Sequence, residues 1–255
     1  MSVRRRAWLV FASVLLATPV AAQPKPQAIQ AAAIAKAAGH PGPLRVEPES
    51  TSELSKGFGT PLWAVGVDSA DGSFGHVSVL LVQRGTFLTE AMSKSLAASA
   101  AAPVETAAAI RADLQGQADR AQDPRDRTRL QQQIQELDAI VARGPITQRL
   151  ALPNGKVGYG TMLGYSASGA TFVTALPSPD DQYELLVATG ASIEGEHRTP
   201  TAASADYEKA MRERPLQTSE AIAQAIYAAL FASKPDEGRK TKDEGQGGAG
   251  GGAKK

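Results

Sequence analysis

The chain has 255 residues, 42% of them hydrophobic and 21% charged, with a formal net charge of +1 and no cysteine. That size and composition suit one large globular domain or two small ones. The near-neutral balance leaves no nucleic-acid footprint, and the missing thiols exclude disulfides, cysteine nucleophiles and cysteine-ligated metals.

Met1 to Ala22 reads as a signal peptide. Arg4, Arg5 and Arg6 form a basic head, Ala7 to Ala17 is almost wholly apolar, and Thr18-Pro19 breaks the run before Val20-Ala21-Ala22. Small residues at the first and third positions before a cut suit a signal peptidase, which places cleavage between Ala22 and Gln23. The apolar run is too short to span a bilayer, so no transmembrane anchor is expected. Arg5-Arg6 ahead of Trp8 resembles a twin-arginine export signal, but arginine clusters are ordinary signal-peptide heads and the core is strongly apolar, so the ordinary head is the better reading. Cleavage leaves about 233 residues, with Trp63 as the remaining tryptophan, and losing three arginines moves the net charge from +1 to −2. The expected location is periplasmic or secreted. No cysteine follows the cut, which argues against a lipoprotein.

Residues 23–61 look poorly anchored and partly disordered, with Pro24, Pro26, Pro41, Pro43 and Pro48 around an alanine-rich patch. Ala28 to Ala38 predicts one helix, stopped by Gly39 and barred from continuing by His40-Pro41. A single domain is expected over 62–233. Leu62 to Asp68 and Phe74 to Gln83 read as strands around the turn Ser69-Ala70-Asp71-Gly72. Apolar residues on both faces of the second strand predict cover on both sides.

Leu88, Met92 and Leu96 then fall four apart, with Thr86 as an N-cap. Val104 to Gln122 and Pro124 to Arg143 predict two more helices, with Asp123 capping and Pro124 opening the second. Leu130, Ile134, Leu137 and Val141 alternate four, three, four, while Ile110, Leu114, Ala118 and Ala121 make a weaker stripe. An antiparallel hairpin over 103–143 would bury each stripe against the other. The stripe also has the spacing to grip a partner helix, although packing within its own chain is the simpler reading.

From Ile146 the period returns to two. Thr147 to Leu152, Lys156 to Tyr165, Ala170 to Leu176 and Gln182 to Thr189 are joined by short turns, which makes a meander. Gly158, Gly160 and Gly164 leave a bare strip, for close packing by a helix or for a bend. Ala203 to Arg214 and Ser219 to Ala232 read as helices. In the second, Ile222, Ile226 and Leu230 share a face that Tyr227 and Phe231 widen, so it should cover the sheet. Residues 234–255 form a Gly/Lys-rich tail expected to be disordered.

Each candidate for chemistry has a plainer explanation. Ser166 lies in Gly164-Tyr165-Ser166-Ala167-Ser168-Gly169, but a nucleophile elbow needs glycine at 168 and a strand running into a helix. The residues three before Lys56, Lys94, Lys156, Lys209 and Lys234 are Glu53, Ala91, Pro153, Asp206 and Phe231, so Ser-x-x-Lys is absent. The histidines are His40, His76 and His197. His-Glu-x-x-His is missing, and Glu194, Glu196 and His197 read as a solvated loop rather than a metal site. Asp68 and Asp71 suggest a calcium loop without its glutamate, and His76 has no nucleophile to activate. Gly155-Lys156 lacks P-loop spacing, and Gly158-x-Gly160 lies inside a strand. No cofactor or metal is expected, and catalytic residues stay unassigned.

The expected fold is α+β: a mainly antiparallel sheet of about six strands, helices on one face and an inserted helical hairpin. Three functions fit. The first is an exported, non-catalytic binding or envelope-accessory protein, its partner an envelope protein or a small-molecule ligand. The second is an exported hydrolase with an acid/base pair drawn from Asp68, Asp71, Glu194 or Glu196. The third is a small-molecule carrier in which the glycine-rich meander curves around its ligand.

Overall fold

The computed structural model describes residues 23–40, 42–49, 61–69, 77–166, 169–191, 209–211 and 213–231. Seven strands form one antiparallel sheet: β1 (Leu44–Pro48), β2 (Trp63–Ser69), β3 (Val77–Gln83), β4 (Thr147–Ala151), β5 (Val157–Ser166), β6 (Gly169–Pro177) and β7 (Tyr183–Ala191). Their order is β1-β2-β3-β7-β6-β5-β4. From central β3 the chain leaves through three helices, α2 (Phe87–Ala101), α3 (Pro103–Arg120) and α4 (Pro124–Arg143), and re-enters at the far edge as β4. The meander β4 to β7 then walks back until β7 pairs with β3.

Alternation sorts side chains onto two faces. Val65, Val67, Val79, Leu81, Phe172, Leu176, Leu185 and Val187 belong to the larger core, together with Ile222 and Ile226 of α5 (Pro215–Phe231) and Ile34 of α1 (Ala31–Ala38). On the opposite face Leu80, Val82, Ala175 and Leu186 meet Met92 and Leu96 of α2. The helices therefore divide between the two faces, and Val77 to Val82 are buried throughout.

The stretch expected to be poorly anchored carries structure: α1 packs on α5, and β1 adds a seventh strand beside β2. Trp63 Nε1 donates to Pro24 O at 2.8 Å, tying the segment ahead of α1 to the sheet. Proline content hid β1 because Pro48 stands at its end on an edge, where a missing N–H costs no ladder bond. Gly39 ends α1 at φ +69°, as its sequence context implies.

Both readings of the glycine strip hold, at different residues. A Cβ on Gly158 would meet Leu176 Cδ2 at 2.5 Å and Ala175 O at 2.9 Å, and one on Gly160 would meet Leu216 Cδ1 of α5 at 3.2 Å. Gly164 instead has φ +142° beside a register shift between Met162 and Gly164, which bends the strand.

The inserted hairpin forms with Leu114 and Ala118 against Leu130, Ile134 and Leu137, all buried. Asp123 caps α4 through a 2.8 Å bond from Arg125 N–H. The seam stops short of the expected stripe, since Val141 is 41% exposed. Among the described residues no helix is long and apolar enough to cross a membrane.

Candidate functional site

Val141 falls outside the seam because of what faces it. At the root of the hairpin, where α3 begins and α4 ends, α3 offers Ala107 and Ala108 opposite the larger Leu137 and Val141. Small against large leaves space, and Pro103 and Ile146 line it further. The result is a mainly apolar cleft of about 430 Å³, open to solvent rather than enclosed. Val104, in the first turn of α3, is 76% exposed, the most exposed large apolar side chain among the described residues. Local sequence builds this root. Ala102 breaks α2 from α3 with φ −134° and ψ 65°, Pro103 takes the first helical turn, and Gly144-Pro145 ends α4 before β4.

One ion pair crosses the rim. Arg111 Nε donates to Asp138 Oδ1 at 3.1 Å, and both side chains are 51% exposed. An exposed pair of this kind contributes about 0–1 kcal/mol, so an incoming group displaces it cheaply.

A second locus lies at the end of the sheet where β3, β5 and β7 meet the β6–β7 turn. Glu184 of β7 is 3% exposed and sits on the same face as Val82 and Leu186. Its Oε2 lies 2.9 Å from Arg84 Nε but makes no hydrogen bond of acceptable geometry. Arg84 also pairs with Asp181, which in turn holds Lys156. Burial pushes the Glu184 carboxyl up to about 7, and the Arg84 charge only partly offsets this. Within the turn, Asp180 Oδ1 accepts from Ser178 Oγ at 2.6 Å and from Gln182 N–H at 3.1 Å. This arrangement clamps the hairpin. A carboxyl so deeply buried and paired offers no access to a substrate.

The residues singled out by sequence do not converge. Asp68 lies on β2 opposite Arg45, while Asp71, His76, Glu194, Glu196 and His197 fall outside the described residues. His40 is buried, its Nδ1 accepting from Gly42 N–H at 3.1 Å, a local turn contact. Ser166 ends β5 opposite Gly169 in a hairpin, with no helix following. Lys156 serves the Asp181 pair. Among the described residues no group of three or more His, Asp or Glu is placed to hold a metal ion.

Sequence reasoning missed both the cleft and Glu184. A signal for Glu184 was present: alternation along β7 puts this acid in line with Leu186 and Ala188, on a face that is otherwise apolar. The cleft had no such signal, because it depends on which alanines of α3 meet which end of the α4 stripe. No protein-family model matches the chain, and comparisons with curated proteins and with solved structures find no match.

Proposed function

We propose that this protein is an exported, non-catalytic binding protein, periplasmic or secreted, that holds a partner polypeptide at the root of its helical hairpin. The observation that carries the reading is the open apolar cleft between α3 and α4, flanked by the protruding Val104. A concave, mainly apolar opening with a polar pair at its rim is the usual form of a binding site. The arginine-headed apolar leader supports export. The sparse polar chemistry around the cleft, one neutral Arg–Asp pair, favours holding over catalysis.

A small apolar ligand is the competing occupant, since 430 Å³ falls within the usual range of ligand pockets. Such pockets enclose most of their ligand, whereas this one is partly open to solvent. The carrier reading in which the meander itself wraps a ligand has less support, because Ile222 and Ile226 of α5 fill that face.

The test is photo-crosslinking in living cells with benzoylphenylalanine at position 104 and, as a control, at Arg125 near the tip. A discrete protein adduct at 104 in the non-cytosolic fraction, lost on Val141→Asp, is the expected result. No adduct at 104, or an equal one at 125, would defeat the reading. Mass spectrometry of the native protein should find a chain starting at Gln23.

A further inference from the structure

We propose that the outer edge of β4 and the hairpin-root cleft form one continuous site, taking an extended polypeptide segment with an acidic side chain three residues from an apolar one. This rests on the reading of the cleft as a partner-holding surface and gives that partner a chemistry.

The argument starts from hydrogen-bond parity. Met162 N–H donates to Ile146 O, and Leu152 N–H donates to Lys156 O, so the even-numbered residues of this strand turn their backbone groups toward β5. In an antiparallel ladder the intervening residues turn theirs away. Thr147, Arg149 and Ala151 therefore present N–H and C=O outward. Among the described residues no strand pairs with β4 on that side. Thr147 is buried under α2, its hydroxyl donating to Ser99 O at 3.1 Å, whereas Arg149 and Ala151 are exposed. The opposite edge differs, since β1 ends in Pro48.

The edge runs into the cleft without a break, because Ile146 both lines the cleft and precedes β4. From Ile146 to Arg149 is roughly 10 Å along an extended chain. Three residues is an odd step, so the two side chains lie on opposite faces. An added strand matches this with an apolar residue beside Ile146, entering the cleft, and another residue three positions along beside Arg149. The exposed guanidinium selects an acid there.

Charge also decides against a second copy of this chain. The antiparallel register that uses all of β4 places Arg149 opposite itself, and like charges directly across a ladder repel. A charged residue on an edge strand is a general guard against self-pairing. Here it leaves open the pairing with an acidic segment, which main-chain bonds then hold and side chains specify.

Fluorescence anisotropy with the full processed chain tests this. The probes are labelled peptides Thr-Leu-Thr-Thr-Glu-Thr-Thr and its reversed sequence, one for each strand direction, with lysine-for-glutamate versions as controls. Saturable binding of at least one glutamate peptide is expected, with its lysine counterpart weaker by about tenfold. Arg149→Glu should reverse that preference. Ala151→Pro removes an outward N–H without touching the β5 ladder and should also weaken binding about tenfold. Binding of neither glutamate peptide would overturn the proposal, as would unchanged binding by Arg149→Glu. The cellular adduct separates the two readings. If it forms at 104 but survives both variants, the cleft reading stands and this inference falls; if it never forms, the cleft reading itself has failed.

Discussion

Arg84 Nε lies 2.9 Å from Glu184 Oε2 at the end of β3, and the carboxylate it meets is almost fully buried. Desolvation outweighs the attraction, and the Glu184 carboxyl titrates near 7 rather than at 4.5. The folded chain therefore keeps a proton between about pH 4.5 and 7 that the unfolded chain has already lost. Stability from this group is full below the unfolded value and falls as pH rises through 7, by roughly 3 kcal/mol over the window.

The expected outcome is a lower denaturation midpoint at pH 8 than at pH 5, with Glu184→Gln flattening the difference. Urea titrations at both pH values measure it. A parent protein whose stability is constant or rises over that interval would show that Glu184 ionises normally.

Leu137 is 1% exposed between the two helices of the hairpin. Leu137→Asp should cost at least about 3 kcal/mol, since it removes a packed side chain and buries a charge without a partner. Val141→Asp, at 41% exposure on the neighbouring turn, should cost much less. Thermal melts of both variants provide the check, and equal losses would mean that the seam extends through Val141.

Tyr227 of α5 donates its hydroxyl to Pro177 O at 3.1 Å, joining the covering helix to the last residue of β6. Tyr227→Phe should lose about 1 kcal/mol, the usual net worth of such a buried bond. An unchanged midpoint would mean that water replaces the bond without loss.

Particular residues explain how much of this architecture was legible. Asp123-Pro124 and Thr86 marked helix starts because capping is local chemistry, and both side chains cap as expected. Period-two apolar runs marked β2, β3 and the meander because burial on a sheet face repeats along the strand. β1 escaped notice because Leu44–Pro48 is short, ends in a proline and finds its pairing partner in distant β2. The second-face position of α2 escaped for the same reason: the sequence around Met92 and Leu96 shows an apolar stripe but not which side of the sheet it meets. The cleft was least legible of all. It arises where two helices of unequal side-chain size converge, a relation between Ala107 and Val141 that no single stretch of chain contains.

Gly158 and Gly160 share one strand and one face, yet their surroundings separate them. A methyl group on Gly158 would press on Ala175 O at 2.9 Å, which is backbone, as well as on Leu176 Cδ2 at 2.5 Å. Backbone does not rotate away, so Gly158→Ala should cost about 1–3 kcal/mol through overpacking. On Gly160 the nearest atoms belong to side chains, Leu216 Cδ1 at 3.2 Å and Gln148 Cγ at 3.6 Å. A small shift of α5 relieves that contact, and the lost freedom of the unfolded chain returns about 0.4–1 kcal/mol. Gly160→Ala should therefore lie close to the parent in midpoint while Gly158→Ala falls clearly below it. The reverse order in chemical denaturation would mean that α5, rather than the β5–β6 ladder, is the stiffer neighbour of this strand.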